Sequence, residues 1–352
     1  MAWGILGQNG YSVAGLHFED GTLRIVQLDG RRRKVLRVME RRWPGQVVPG
    51  QKEGSPEKLG RLLRQAWRQG GFLGRQVTVA LGNGDLFVQN LRLPQDTADI
   101  DGVVCNEAGS RLPFPLDEAE LRYLPAGTIR QGDSLRHEVI VFACRRQVIA
   151  EKLAWIEEAG LCCRALEAAP AALFRCYQAQ LRRESDRREM IALVSIQQTG
   201  TIFLVSDRGQ PNFIKHIDFS SRQLDEAVAR YLGLSVEDAV GLRHHRGDRR
   251  EEGRDPEVDR AIAEALEAPL DSLCHELIMC LRYCSVSFRI SPPREVILSG
   301  VESNPELAQA LAQRLNIRVR AGDPFLPFEN APATSHKGAW DIAVGLALWE
   351  ES

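Results

Sequence analysis

The chain of 352 residues lacks several features that would point to particular classes of protein. It has no apolar run of about 18 residues, the length that a membrane-spanning helix needs. Its N-terminal residues, MAWGILGQNG, contain no basic segment of the kind that begins a signal peptide. Its eight cysteines include no CxxC pair, which favours buried reduced thiols. We therefore expect a cytoplasmic protein with reduced thiols and no metal site.

Lysine is scarce, because arginine supplies 39 of the 45 basic residues. The 47 acidic residues offset these bases and leave a net charge of −2. Proteins that bind nucleic acid or anionic membranes electrostatically carry a basic excess. The overall balance therefore predicts no nucleic-acid partner and no electrostatic contact with an anionic membrane. The lack of a long apolar run predicts no direct insertion into a membrane.

Two cysteines leave a metal site as an alternative. Cys280 and Cys284 lie four residues apart on a predicted helix, beside Cys274 and His275. Such a spacing places side chains on one face of a helix, where they could bind a metal. The same positions also complete an apolar stripe with neighbouring leucines, which favours buried thiols.

The chain does contain a repeated β-meander. Residues 191–217 form three apolar, partly alternating segments, separated by turn candidates at 198–200 and 207–210. Residues 13–40 follow the same plan, with turns at 19–21 and 29–30. Alternation broken by glycine-containing turns is typical of antiparallel strands. Two meanders, each opening one half of the chain, predict an internal duplication.

Helices and buried strands follow each meander, which indicates an α/β protein. A helix at 56–69 and a strand at 76–81 follow the first meander, and a strand at 295–299 and a helix at 305–315 follow the second. We predict a first domain that a small α/β insert interrupts, and then a second domain. The first domain is predicted to consist of residues 1–85 and of closing helices at 166–190 and 335–352. The insert is predicted at 86–165 and the second domain at 191–334.

The second half contains one segment with almost no apolar residues. Residues 243–257, RHHRGDRREEGRDPE, follow a predicted capped helix at 235–242 and predict a solvated loop. A phosphate-binding patch is the alternative, although acidic residues interrupt the basic ones. We expect a long helix at 258–288 to be kinked or broken at Pro269, and a closing helix at 339–349.

Several short segments carry a family resemblance through their order and spacing. They are residues 15–28 (GLHFEDGTLRIVQL), 91–94 (LRLP), 112–119 (LPFPLDEA), 141–146 (VFACRR), 158–161 (EAGL) and 344–348 (VGLAL). Together they resemble the PilM family of type IV pilus assembly proteins, within the actin-like ATPase superfamily. The resemblance covers nearly the whole chain. It implies two duplicated actin-like domains, each similar to ribonuclease H, with a small α/β insert in the first half.

The resemblance also implies a nucleotide cleft, and this sequence departs from the family pattern there. His17 stands where the family has an aspartate, and Glu19 and Asp20 replace a glycine and a serine. Gly21 and Thr22 remain small, as in the family, and Arg24 replaces the family's lysine. The acid of the second phosphate loop is lost in Ser195-Ile196-Gln197, and the adenosine motif is reduced to Leu298-Ser299-Gly300-Val301.

The size of the electrostatic effect favours a pseudo-ATPase. A carboxylate at ~5 Å from a phosphate contributes repulsion of about 3 kcal/mol at an effective dielectric of ~20. Micromolar binding is worth only about 8 kcal/mol in total. We therefore expect no catalytic residues and no cofactor. The alternative is an active ATPase that holds ATP and magnesium through altered loops, with Glu19, Asp20 or Asp218 as the metal ligand.

The resemblance implies a cytoplasmic scaffold of a type IV pilus or a related type II secretion-like assembly. Its partner would be the cytoplasmic N-terminal tail of a PilN-like inner-membrane protein, which would hold it peripherally at the membrane. Residues 112–123 of the insert are the first candidates for that contact, and a homo-oligomer remains open. A cell-division protein like FtsA is a further alternative. We expect it to fit less well, because no amphipathic helix follows residue 348.

Overall fold

The computed structural model describes residues 10–43, 55–131, 134–180, 190–248, 255–288, 292–334 and 336–351. Within these residues the strands form three sheets. The strands are β1 (Tyr11–Glu19), β2 (Thr22–Asp29), β3 (Val35–Arg42), β4 (Gln76–Leu81), β5 (Leu86–Pro94), β6 (Ala119–Gln131), β7 (Ser134–Arg145), β8 (Cys162–Ala168), β9 (Ile191–Ile196), β10 (Thr201–Asp207), β11 (Gln210–Ile217), β12 (Glu295–Gly300) and β13 (Arg318–Ala321).

Two of the sheets have five strands and the same topology. The first has the order β3-β2-β1-β4-β8 and the second β11-β10-β9-β12-β13. In each, the first three strands form an antiparallel meander, and the last two run parallel to the strand that opens it. The predicted duplication of an α/β unit is confirmed.

The helices of the described chain lie between the sheets and on their outer faces. They are α1 (Pro56–Gly70), α2 (Ile100–Gly109), α3 (Arg146–Glu158), α4 (Ala169–Gln178), α5 (Ser221–Leu232), α6 (Val236–Asp248), α7 (Pro256–Phe288), α8 (Pro305–Leu315) and α9 (Asp341–Ala347). Helices α4 and α9 pack between the two large sheets and bury residues of both. Only small residues fit at their crossing, since a Cβ on Gly345 would lie 1.9 Å from the Ala172 carbonyl oxygen.

The outer faces of the two sheets are covered by different helices. Helices α1 and α3 cover the first sheet, with Leu63 and Trp155 in that core. Helices α7 and α8 cover the second sheet. Helices α5 and α6 pack on α7 in a smaller cluster. Cys274, Cys280 and Cys284 lie in the apolar core beneath α7, as the buried-thiol interpretation predicts.

The insert consists of the third sheet, in the order β5-β7-β6, with α2 packed on it. This sheet ends at Arg145. The next helix, α3, packs beside α1, and β8 pairs with β4 in the first sheet. Residues 146–165, which we predicted to be part of the insert, therefore lie on the first five-stranded sheet. The other domain boundaries remain predictions.

Three predicted elements of the second half differ from the structure. Helix α6 continues to Asp248, so that the start of the predicted loop is helical, while residues 249–254 lie outside the described residues. Helix α7 passes through Pro269 without a break, because Leu270 and Leu273 beyond it are buried in the core. The closing helix is shorter than predicted and follows a 3-10 turn at Lys337–Trp340.

Within the described ranges, no helix is both long enough and apolar enough to cross a membrane.

Candidate functional site

The candidate site is the cleft between two hairpin turns, one from each five-stranded sheet. The first turn joins β1 to β2, and the second, residues 197–200, joins β9 to β10. Both follow the carboxyl ends of strands, the edge at which α/β sheets bind ligands. Glu19 pairs with Thr22 across the first hairpin. Asp20 and Gly21 form its turn, with φ of 44° and 72°.

Glu19 reaches across the cleft and binds the second turn. Its carboxylate accepts hydrogen bonds from the backbone N–H groups of Gln198 (3.3 Å) and Thr199 (3.2 Å) and from the Thr199 hydroxyl (2.7 Å). Burial raises the pKa of Glu19, and these hydrogen bonds oppose that shift. A side-chain carboxylate therefore takes up donors that such a turn could offer to a phosphate.

Two further contacts join the halves along the cleft. The carboxylate of Asp20 lies 2.8 Å from the guanidinium of Arg222, in the first turn of α5. Asn83, in the turn after β4, faces the second hairpin so closely that a Cβ on Gly200 would lie 2.8 Å from its amide nitrogen. Glu19 and Asp20 therefore bridge the cleft through polar contacts, while the Asn83 amide packs against the second hairpin without a hydrogen-bond partner among the described residues.

His17 lies on β1, where the resemblance implies an aspartate. The side chain is 2% exposed, and Nδ1 has no hydrogen-bond partner among the described residues. Burial lowers its pKa to about 3, and the nearby charges of Arg24 and Lys152 add to the effect. Arg24 is itself buried and pairs with Glu40 at 2.7 Å. At neutral pH His17 is uncharged, so it lacks the negative charge by which an aspartate attracts a hydrated metal ion.

Ser195, Gln197 and Ser299 converge on a residue that sequence reasoning missed, Asp341. The two serine hydroxyls donate to one oxygen of its carboxylate at 2.8 and 2.6 Å. The Gln197 amide donates to the Ser195 hydroxyl at 2.6 Å. Burial raises the pKa of Asp341, and the hydroxyl donors offset part of the rise. Tyr177 on α4 contacts the Ser299 hydroxyl at 2.5 Å, which joins this network to the central helices.

Gly300 ends β12 where the chain passes closest to β9. Its φ is 83°, and a Cβ there would lie 2.1 Å from the Ile196 carbonyl oxygen. The following N–H, that of Val301, donates to the same oxygen at 2.8 Å. The glycine of the adenosine-like segment is therefore required by the contact between two strands.

A buried ion-pair cluster lies beside this segment. The Arg243 guanidinium, on α6, contacts the carboxylate of Asp225 on α5 and lies 2.7 Å from that of Glu302. Ser221 donates to the other oxygen of Glu302. Burial opposes the charge of Arg243, but the two carboxylates hold its pKa above the ordinary value. Burial raises the pKa of Asp225. The cluster binds α5 and α6 to the loop after β12.

The insert offers a different kind of surface. Strand β6 is at the edge of the three-stranded sheet and pairs with β7 on its inner side. On its outer side, the part before Ala126, whose carbonyl accepts from Asn212, pairs with no strand of the described chain. Leu116 and Leu124 flank this part and are 40% and 39% exposed. Arg146, at the start of α3, donates to the Asp117 carbonyl at 3.2 Å. The predicted contact region, 112–123, thus lies at the junction of the insert and the first sheet.

The structure brings the predicted cleft residues together from four strand ends. It adds five charged residues that the sequence did not single out, namely Arg222, Asp225, Arg243, Glu302 and Asp341. Each of them binds a partner far away in sequence, on another element. No local pattern marks such pairs, although a lone acid at the start of an apolar helix, as in DIAVGLAL, is a usable signal.

Comparison with solved structures shows which fold the chain has. A structure described as the PilM-PilN type IV pilus biogenesis complex is similar, with a TM-score of 0.77, 22% identity, and coverage of 96% of this chain and 98% of that chain. The ethanolamine utilization protein EutJ from Carboxydothermus hydrogenoformans has a TM-score of 0.55 and 13% identity, over 97% and 90% of the chains. A Bacteroides thetaiotaomicron protein with an actin-like ATPase fold has a TM-score of 0.50 and 10% identity, over 98% and 99%. The chain has the actin-like ATPase fold.

The sequence model of the family described as type IV pilus assembly protein PilM matches residues 15–351. The match spans almost the whole chain and both five-stranded sheets. The chain belongs to the PilM family of type IV pilus assembly proteins, as the short motifs predict.

Proposed function

We propose that this chain is a non-catalytic adaptor of a type IV pilus or related secretion-like assembly. It binds the cytoplasmic N-terminal tail of a PilN-like inner-membrane protein, and its cleft does not serve as an ATP site. The contact between Glu19 and the turn at 198–199 is the observation that carries the proposal. Membership of the PilM family and the likeness to a PilM-PilN complex support the role in pilus assembly.

The phosphate side of the cleft fits a triphosphate poorly. Donors of the second turn already bind a carboxylate of the same chain, which competes with any anion at high effective concentration. An incoming phosphate would have to displace Glu19 and would still face both Glu19 and Asp20. Their repulsion, about 3 kcal/mol each by the estimate above, removes most of the binding energy of a micromolar ligand.

The remaining parts of a nucleotide site fit no better. The candidate metal ligands Glu19 and Asp20 are bound to the second turn and to Arg222. The ion-pair cluster of Arg243 lies beside the adenosine-like segment. ATP and magnesium binding through Glu19 or Asp20 would require these carboxylates to leave their present partners.

The insert fits an extended peptide. The free part of β6 offers unpaired backbone groups, and Leu116 and Leu124 offer apolar contacts on either side of it. A strand added to such an edge gains backbone hydrogen bonds, while its alternate side chains fill apolar sites. We assign the tail to this edge and infer that the tail holds the protein at the inner face of the membrane.

The test is titration of a synthetic tail peptide of the partner from the same organism, with and without Mg-ATP. We expect the same Kd in both conditions. Leu116→Asp places a charge on the proposed contact and should raise the Kd of the peptide by at least about tenfold, the equivalent of 1.4 kcal/mol. Leu234→Asp is the matched control, because Leu234 has the same exposure of 40% but lies between α5 and α6. Equal effects of the two substitutions, or a Kd that depends on Mg-ATP, would refute the proposal.

A further inference from the structure

The net charge of −2 conceals a strong segregation of charge. Residues 31–42, RRRKVLRVMERR, contain seven basic residues and one acid. Residues 57–75, EKLGRLLRQAWRQGGFLGR, contain five basic residues and one acid. These two segments form the β3 edge and α1 with its C-terminal loop. A local charge of +10 therefore lies on two segments of a chain that is slightly acidic overall.

The two segments adjoin in space. A Cβ on Gly70, at the end of α1, would lie 3.2 Å from the Met39 Cε on β3, and one on Gly71 would lie 3.6 Å from the Arg37 Nε. Strand β3 is the outermost strand of the first sheet, and α1 covers the adjoining face. Arg37 and Arg41 alternate with Met39 on the same side of β3. Together with the basic residues of α1 they form one surface, which we call the α1–β3 face.

Most of these charges are free to meet a partner. Arg32, Arg33, Lys34 and Arg64 make ion pairs with acids outside the two segments. The other eight form no ion pair with another residue of the described chain, and all eight are exposed. They are Arg31, Arg37, Arg41, Arg42, Lys58, Arg61, Arg68 and Arg75. A polyanionic partner would relieve the mutual repulsion of these cations and release their counter-ions.

One apolar side chain projects from the same face. Leu73 is 42% exposed in the loop after α1. Its backbone is fixed on both sides, because its N–H donates to the Gln27 amide oxygen at 2.9 Å and its carbonyl accepts from the Gln27 nitrogen at 2.8 Å. An exposed leucine among unpaired cations is suited to a lipid surface, where cations meet headgroups and the apolar side chain meets acyl chains. A nucleic-acid backbone would use the cations alone.

We propose that the α1–β3 face binds the anionic phospholipid surface of the membrane. The inference goes beyond the proposed function, since it gives the protein a direct electrostatic contact with lipid besides its protein tether. Helix α3 packs against α1 and also contacts the insert segment at Asp117. A tail bound at the insert edge thus anchors the protein close to this face. Adsorption of this kind requires no inserted helix.

Vesicle co-sedimentation of the protein alone tests the proposal. We expect binding to vesicles of equal parts phosphatidylcholine and phosphatidylglycerol, and none to phosphatidylcholine alone. Binding should be lost between about 0.1 M and about 1 M salt, because the Debye length falls from about 10 Å to about 3 Å. Wild-type protein that does not sediment with the anionic vesicles at the lower salt overturns the proposal, and this arm requires no variant.

Charge reversal locates the contact. Arg37→Glu, Arg41→Glu and Arg68→Glu together should reduce partition onto the anionic vesicles by at least about tenfold. The matched control reverses Arg230, Arg282 and Arg318, which are exposed outside the face and change the net charge equally. Equal losses in both variants would contradict the assignment.

A random-sequence DNA duplex provides the competing polyanion. Binding to the duplex at least as tight as to the vesicles would overturn the lipid assignment in favour of nucleic acid. The vesicles contain no protein, and the tail peptide is assayed without vesicles. Failure of lipid binding is therefore distinguishable from failure of the proposed adaptor function.

Discussion

The polar groups of the cleft and those of the insert edge differ in whether they bind partners within the protein. In the cleft, the carboxylate of Glu19 meets the donors of the second turn, and the guanidinium of Arg243 meets two carboxylates. At the insert, the first part of β6 leaves an edge unpaired, and two leucines beside it stay exposed. Groups that bind one another inside a protein are not available to a ligand. The contrast indicates that binding capacity in this chain lies in the insert.

The cleft also carries the larger energetic cost. Removing charges from water is costly, and a buried pair repays the cost only while both partners remain. The insert edge is exposed to water, so its polar groups carry no such desolvation cost. Substitutions in the cleft should therefore change the free energy of unfolding, whereas substitutions at the edge should change only binding.

The largest effect is expected at the ion-pair cluster. Arg243→Met leaves Asp225 and Glu302 as buried, unpaired carboxylates, and we expect it to lower the free energy of unfolding by about 3–5 kcal/mol. Urea unfolding measures the change. Arg260→Met is the control, because the Arg260 side chain is 81% exposed; its effect should stay within about 0.5 kcal/mol.

The sign of the pH dependence sharpens this prediction. Burial already raises the pKa of Asp225 in the folded protein. Without the guanidinium the folded pKa rises further above the unfolded value, so stability falls as pH rises through it. The loss of unfolding free energy that Arg243→Met causes should therefore be smaller at pH 5 than at pH 7.5. A deficit that grows on acidification would contradict the buried-carboxylate account.

A smaller effect is expected at His17. Burial lowers its pKa in the folded protein to about 3, from the ordinary histidine value of 6.5. Below pH 6.5 the unfolded chain binds a proton that the folded chain does not, so stability falls as pH falls. At 1.36 kcal/mol per pKa unit, His17 should contribute about 2 kcal/mol to the loss between pH 7.5 and pH 5. His17→Gln should lose that much less stability over the same interval, and an unchanged profile would count against the assignment.

The smallest change in stability is expected from the contact that bridges the hairpins. Glu19→Ala removes the acceptor of three hydrogen bonds at a half-buried position where water can replace it, and should cost about 1 kcal/mol. Glu19→Gln retains an acceptor and should cost less. Glu157→Ala, at an exposed site on α3, is the control and should be neutral within about 0.5 kcal/mol. Equal unfolding free energies for all three variants would contradict the expectation that cleft substitutions change stability.

The fold was largely predictable because its signals are local. Alternation over 13–40 and 191–217 fixes the strands, and the turn residues fix their antiparallel pairing. Boundaries were less accurate where tertiary packing overrides a local rule. Pro269 does not break its helix, because the apolar stripe on both sides of it is buried on the second sheet.

The site was predictable only in part. Alternation and turn residues located both hairpin turns, and the family resemblance located the segment at Ser299 and Gly300. It could not predict that Glu19 would bind residues 198–199, since a solvated turn and a cross-cleft contact have the same sequence. Arg243 was placed in a solvated loop because polar neighbours surround it in sequence. Its burial depends on Asp225 and Glu302, which are distant along the chain.

Isothermal titration calorimetry with Mg-ATP tests most directly that the cleft is filled by the protein's own side chains. We expect wild-type protein to bind Mg-ATP with a Kd no tighter than about millimolar, equivalent to a binding free energy of about 4 kcal/mol. The combined variant His17→Asp, Glu19→Gly and Asp20→Ser frees the donors of the second turn and removes both repulsive charges, and it should bind more tightly. Micromolar binding by the wild-type protein would contradict the account.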